Sequence, residues 1–271
     1  MEDSFTVHDD ADYIGRTKPM GTSTSHRSPA TPEWDRVRDL YRSGEHDPAE
    51  VSRRIAQALS PDTRAAMSAG GPSACLDALL SGVHAASSGR GGHPLEGATC
   101  LLGAASALRR SAERRIVTRG LSSLYTELAL DALSVTALRV FSPPGGVAAP
   151  WAAPGRWDVP PDLLAVAGLS GLAGQFVEES TGRYLGYLVS RDVAEFVGSE
   201  GLPTVEAATS LAQSVAQYGR AVAGGLGLRD AEDRLNRAVV GLAEPERLRE
   251  VSLVFAGAVA GCLANLSGGP S

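Results

Sequence analysis

Four times between residues 31 and 94, this chain places a proline directly after a polar residue that can stand at the start of a helix. The pairs are Thr31-Pro32, Asp47-Pro48, Ser60-Pro61 and His93-Pro94. Proline has no backbone N–H group and a fixed φ of about −65°, so it is favoured at the first position of a helix and disfavoured inside one. The four pairs therefore predict four helix starts, and Glu50 adds a capping-box-like arrangement after Asp47.

Helical periodicity continues along most of the chain, and no stretch shows the alternation typical of a strand. The sequence also lacks a repeat of the length found in solenoids. We therefore predict an all-α, multi-helix fold. The predicted helices lie near residues 33–43, 48–59, 61–69, 73–87, 94–110, 112–141 with a break near Gly120, 162–179, 183–198, 204–223, 229–242 and 246–266.

A segment rich in proline and glycine divides the helical pattern. Residues 142–161 contain six prolines, which can neither continue a helix nor lie inside a sheet. We interpret this segment as a linker between an N-terminal helical lobe, residues 32–141, and a C-terminal helical lobe, residues 162–271. Trp151 and Trp157 lie in it, and packing against a neighbouring lobe is the favoured role for both.

Residues 1–31 precede the first helix start and show no apolar periodicity. Their polar composition predicts a disordered arm.

The composition favours a soluble, intracellular, cytoplasmic protein. The 271 residues are 43% hydrophobic and 21% charged, with a formal net charge of −6. Three cysteines, widely spaced and odd in number, do not form a secreted disulfide framework. No charged-then-apolar leader and no long uninterrupted apolar stretch are present, so we predict neither secretion nor membrane insertion. The low aromatic content, 5%, disfavours a large cofactor site, and no cofactor is predicted.

The predicted helix 112–141 carries two apolar stripes, which indicates that other helices surround it. Leu124, Leu128, Val135 and Leu138 form one stripe, and Leu130, Leu133, Ala137 and Val140 form the other. Glu127 and Asp131 lie four residues apart here, and Asp131 falls within the first stripe. The two acids are either a metal or general-base site or, as favoured here, part of a buried ion pair with an arginine such as Arg139.

Positive charge is concentrated in one short segment. Residues 100–141 hold six basic and three acidic side chains in a chain that is acidic overall. The five clustered arginines are Arg109, Arg110, Arg114, Arg115 and Arg119. They are candidates for phosphate or nucleic-acid contacts. The alternative is a solvated helix junction, because at 100° per residue the five side chains spread around the helix axis.

Standard catalytic and metal-binding motifs are missing from the sequence. It contains no Walker A loop, no Gly-x-Ser-x-Gly elbow, no paired Cys-x-x-Cys and no His-Glu-x-x-His. We therefore predict a non-enzymatic protein with no metal site and no catalytic residues.

Two groups of glycines suggest close helix packing. Gly168, Gly171 and Gly174 lie on one predicted helix, where they indicate either a close approach of a second helix or a weak helix. Residues 251–266 are apolar and contain Gly257 and Gly261 in a Gly-x-x-x-Gly pattern. Sixteen residues are short for a bilayer, so a buried terminal helix is favoured over a membrane span.

Three functions are compatible with these patterns. The favoured one is a structural protein that binds a protein partner or itself as a homo-oligomer. The second is nucleic-acid packaging through the arginine segment, because the layout of an N-terminal arm, two helical lobes and a central basic segment resembles nucleocapsid proteins of segmented negative-strand RNA viruses. No motif of that family is matched residue by residue, and the acidic net charge departs from it. The third is a helical enzyme or ligand-binding regulator that uses Glu127 and Asp131.

Overall fold

The computed structural model describes residues 29–44, 46–142 and 163–268, and these residues form ten α-helices. The helices before residue 143 are α1 (Pro32–Ser43), α2 (Pro48–Ala58), α3 (Pro61–Ser68), α4 (Gly71–Ser87), α5 (Leu101–Arg119) and α6 (Leu124–Phe141). The helices after residue 162 are α7 (Leu163–Val193), α8 (Val205–Gly224), α9 (Glu232–Gly241) and α10 (Glu244–Leu266). The described part of the chain contains no strand beyond one isolated bridge between Val197 and Leu202. The all-α prediction is confirmed.

Three of the four predicted helix starts are confirmed at the level of the capping hydrogen bond. The side chains of Thr31, Asp47 and Ser60 accept hydrogen bonds from backbone N–H groups in the first turns of α1, α2 and α3, and a proline follows each of them. These bonds satisfy donors that a helix leaves without an internal partner. Local sequence is therefore sufficient to begin the first three helices.

The predicted start at His93-Pro94 is wrong. Residues 94–97 form a turn, with Gly97 at a φ of 79°, and α5 begins only at Leu101. Its cap is Cys100, whose Sγ accepts a hydrogen bond from the Gly103 N–H group at 3.3 Å. The left-handed conformation at Gly97 interrupts any helix begun at Pro94.

Two other predicted boundaries also differ from the structure. The helix α5 continues without a break through residue 111 and ends at Arg119. Gly120, which follows it, has a φ of 63° and confirms the predicted break. The predicted helices 162–179 and 183–198 are one helix, α7, which ends at Val193. Its helical backbone continues through Gly182, where it packs against α8.

The helices on either side of residues 143–162 pack against each other. Contacts join α6 to α7 and α4 to α10, and the buried apolar side chains form one continuous cluster. The division into two lobes stays a prediction. Residues 1–28 of the predicted arm, and the predicted linker apart from Ser142, lie outside the described residues.

The most extensive contact between two helices joins α7 to α8 and is made by small residues. A Cβ atom at Gly182 would lie 2.9 Å from the Ala216 carbonyl oxygen, and one at Gly186 would lie 3.0 Å from the Ala216 Cβ. From the other side, a Cβ at Gly219 would lie 2.5 Å from Leu185 Cδ1. These glycines, rather than the predicted group at 168, 171 and 174, allow the two backbones to approach.

The predicted group has other roles in α7. Gly168 interrupts the helix with a φ of 65°, and Gly174 has open space where a side chain would be. The kink at Gly168 exposes backbone donors, and the Glu232 carboxylate from α9 accepts them. The N–H groups of Leu169 and Ser170 donate to its two oxygens at 3.1 and 2.6 Å. A distant side chain therefore caps the main part of α7.

We expect alanine to have opposite effects at two glycines of α7. Gly182→Ala should lower the free energy of unfolding by about 1–3 kcal/mol, because the new methyl group meets the Ala216 carbonyl of α8. Gly174→Ala should raise it by up to about 1 kcal/mol, because alanine favours the helix and the site is open. Urea denaturation at one pH measures both, and equal effects would contradict the packing described.

Replacing Glu232 should remove a pH-dependent contribution to stability. Burial alone would raise the pKa of Glu232, but hydrogen bonds from Ser170, Leu169 and Asn236 bring it below its ordinary value of 4.5. Its contribution is therefore complete above that value and disappears as the pH falls through the lowered pKa. Glu232→Gln should cost about 1 kcal/mol at neutral pH, with a difference from wild type that shrinks below pH 4.5.

Urea denaturation as a function of pH tests this expectation. The exposed Glu200, which has no hydrogen-bond partner in the part of the chain that the structure describes, supplies the control variant Glu200→Gln. Identical pH profiles for both variants would show that Glu232 does not cap α7.

Candidate interaction surfaces

Three of the five clustered arginines form ion pairs within the protein. Arg109 binds Glu113 at 2.9 Å and Asp131 at 2.8 Å, and Arg119 binds Glu244 at 2.9 Å. Arg115 points inward and contacts Asp77 and Ser81. These three side chains join α5 to α4, α6 and α10, so their charge is neutralised within the fold.

The other two clustered arginines, Arg110 and Arg114, point to solvent. Both are exposed, and among the described residues neither has a carboxylate partner. They share the outer side of α5 with the apolar Leu102 and Val117 and the small polar Ser106, all of them exposed. We call these five residues the α5 face. The predicted arginine segment thus separates into three structural residues and two free ones.

The carboxylates Glu127 and Asp131 do not form the predicted buried site. Glu127 is exposed, and the Asp131 side chain is 51% exposed. The buried stripe of α6 is the one that contains Leu130 and Leu133, whereas the stripe around Asp131 lies at the rim of the core. Asp131 binds Arg109 and lies 3.9 Å from Arg183. Arg139, the predicted partner, instead binds Glu178 and Glu179.

Two carboxylates that the sequence analysis did not select are the buried ones. Asp77, on α4, has a side chain that is 1% exposed and binds Arg115 of α5 and Arg247 of α10. Glu179, on α7, is 3% exposed and binds Arg139 of α6, Arg183 of α7 and Arg220 of α8. Each carboxylate thus links three helices. The signal for Asp77 was a single acid inside the apolar run of residues 74–80.

These buried carboxylates are structural rather than catalytic in geometry. Guanidinium groups contact both oxygens of each carboxylate. Within the described ranges no cluster of three or more His, Cys, Asp or Glu side chains could hold a metal ion. The thiols of Cys75 and Cys262 are buried, and burial raises the pKa of Cys262 to about 11.

The outer side of α10 is an apolar surface made mostly of small side chains. Leu253, Gly257, Ala260 and Ala264 are exposed, and Ala256 and Gly261 are half-buried between them. We call these six residues the α10 face. Residues 251–266 contain no Asp, Glu, Lys, Arg or His. The face is therefore an uncharged ridge of mostly small side chains about 17 Å long, at a rise of 1.5 Å per residue.

A groove lies along each side of this ridge. One, of about 350 Å³, separates α10 from residues 226–231 and is lined by Leu226, Leu228 and Gly257. The other, of about 280 Å³, lies between α10 and α3 and is lined by Ala65, Ala260 and Ala264. A ridge flanked by grooves is the shape that a second helix surface packs into.

The inner side of α10 is buried, as predicted for a terminal helix. Val251, Phe255, Val259 and Cys262 are part of the core, and the Phe255 ring lies 5.4 Å from the Phe176 ring of α7. In the described part of the chain, α10 is also the one helix whose length and composition would suffice to cross a membrane. Its two sides therefore differ: one is buried in the core, and the other has no partner among the described residues.

No protein family model, curated protein or solved structure matches this chain. Its function is therefore inferred from the geometry of these surfaces.

Removing Asp77 should destabilise the protein far more than removing Asp131. Asp77→Ala leaves the guanidinium groups of Arg115 and Arg247 without their carboxylate, which should cost about 3–5 kcal/mol. Asp131→Ala breaks half-exposed pairs and should cost less than about 1 kcal/mol. Chemical denaturation followed by circular dichroism measures both. Comparable losses for the two variants would refute the structural role assigned to Asp77.

Proposed function

We propose that this chain is a non-enzymatic, self-associating helical protein whose α10 face binds the α10 face of a second copy. The observation that carries the proposal is the uncharged, solvent-facing ridge of small residues on a helix whose opposite side is buried. Small residues allow two helix backbones to approach closely, which increases the contact between them. A face of this kind on a well-packed helix is typical of an interaction surface.

Charge supports a second copy as the occupant. The chain has a net charge of −6, so two copies repel each other over most of their surfaces. At the α10 face this repulsion is weakest, because residues 251–266 carry no charged side chain. A symmetric dimer places the same patch on both sides of its interface, which an uncharged ridge beside two grooves satisfies.

The dimensions of the surface fit a weakly associating dimer. The α10 face is about 17 Å long, and the helix with half a helix width on either side of it is about 20 Å wide, which gives about 340 Å² for each copy. The total of about 700 Å² lies below the usual size of stable specific interfaces. We therefore expect association in the micromolar range rather than an obligate dimer.

The other two functions receive less support from the geometry. Packaging of nucleic acid requires several unpaired basic groups, and three of the five clustered arginines are engaged by carboxylates. A catalytic role for Asp131 conflicts with its two arginine neighbours and with the exposure of Glu127.

Light scattering coupled to size-exclusion chromatography tests the proposal. Wild-type protein should shift from a mass of 28.0 kDa towards twice that value as its concentration rises through the micromolar range. Ala260→Arg should stay at the monomer mass, because it places two charges against each other at the centre of the ridge. Val240→Arg, on the exposed side of α9, should behave as wild type and is the matched control.

Two outcomes would overturn the proposal. One is association that Ala260→Arg leaves unchanged. The other is a wild-type protein that stays monomeric at every concentration but floats with phosphatidylcholine vesicles, which would assign the α10 face to a bilayer.

A further inference from the structure

The α5 face combines two free positive charges with exposed apolar side chains. Arg110 and Arg114 lie one helical turn apart, and Val117, 79% exposed, follows Arg114 by another turn. In the opposite direction the face continues through the polar Ser106 to Leu102, two turns before Arg110. An arginine pair with an apolar side chain directly beyond it fits a partner that presents acidic groups beside an apolar group.

This chain contains a segment with that chemistry. Residues 2–12 read EDSFTVHDDAD, with five acidic side chains and no lysine or arginine. Phe5 and Val7 lie between the acidic pair at the beginning and the acidic group formed by Asp9, Asp10 and Asp12. The segment lies outside the described residues, so its sequence and its position in the chain carry the argument.

We propose that residues 2–12 dock on the α5 face of the same molecule. The acidic group Asp9–Asp12 binds Arg110 and Arg114, and Phe5 and Val7 cover Val117. The spacings are compatible: three extended residues from Val7 to Asp10 span about 10 Å, and seven helical residues from Arg110 to Val117 span about 10.5 Å.

The opposite direction of the segment makes fewer apolar contacts. It would bring Phe5 to Leu102, because four extended residues from Asp9 to Phe5 span about 13 Å and eight helical residues from Arg110 to Leu102 span about 12 Å. Val7 would then lie at the polar Ser106. The proposed direction instead places both apolar side chains beside Val117.

The connection between segment and face is long enough for binding within one molecule. Residues 13–28 link the segment to the first described residue, Pro29, and sixteen residues can span about 55 Å. A globular body of this size has a radius of gyration of about 18 Å, so the link reaches any side of it. A link of this length gives the segment a millimolar effective concentration, which allows weak exposed ion pairs to hold it.

Site-specific photocrosslinking in the full chain tests the docking. A benzoylphenylalanine replaces Phe5, and mass spectrometry locates the crosslinked peptide. Crosslinks should fall within residues 101–119, and mixing of isotopically light and heavy chains should show that they form within one molecule. Arg110→Glu with Arg114→Glu should reduce their yield about tenfold, since two ion pairs become repulsive.

A charge-matched control and a charge swap complete the test. Arg229→Glu with Arg249→Glu alters the net charge equally at exposed positions outside α5 and should leave the yield unchanged. Replacing Asp9 and Asp10 by arginine in the α5 variant should restore crosslinking. The proposal would be overturned by crosslinks outside residues 101–119 or by an equal loss of crosslink yield in both double variants. It would also be overturned if the charge swap did not restore the yield. Crosslinks only between light and heavy chains would assign the face to a second copy instead.

Discussion

The arrangement of helices depends on one carboxylate, Asp77, held in the interior by two arginines. It lies on α4, in which residues 71–80 are all buried, and its partners come from α5 and α10. A buried ion pair contributes little net stability compared with an apolar replacement, but it strongly disfavours arrangements that leave one member unpaired. The Asp77 group therefore fixes the position of the last helix of the chain against helices formed from its first half.

Once α10 is fixed in this way, it is also determined which of its residues face the core and which face solvent. Phe255 and Cys262 enter the core, so the residues half a turn away, among them Gly257 and Ala260, face solvent. A soluble monomer gains nothing from a solvent-facing ridge of this composition, which contains no charged side chain. Self-association removes the uncharged ridge from water, and this is the physical reason for the proposed function.

The sequence predicted several features that depend only on residues close together in the chain. Capping side chains and prolines gave the starts of α1, α2 and α3, and Gly120 gave the end of α5. Features set by contacts distant in sequence were not predictable. Gly182 looks like a helix break until α8 packs on it, and the kink at Gly168 requires Glu232, which is 64 residues away in the sequence. The predicted burial of Asp131 was wrong for the same reason, because only tertiary packing decides which of two apolar stripes faces the core.

Hydrogen–deuterium exchange at two protein concentrations tests the central claim, that the outer side of α10 is where two copies meet. Amides of residues 252–265 should exchange more slowly at the higher concentration, together with those of the flanking residues 226–231 and 64–68. Helices α5 and α8 should exchange at the same rate in both samples. Concentration-dependent protection confined to other helices would contradict this claim. So would the absence of any protection at a concentration where the dimer mass is observed.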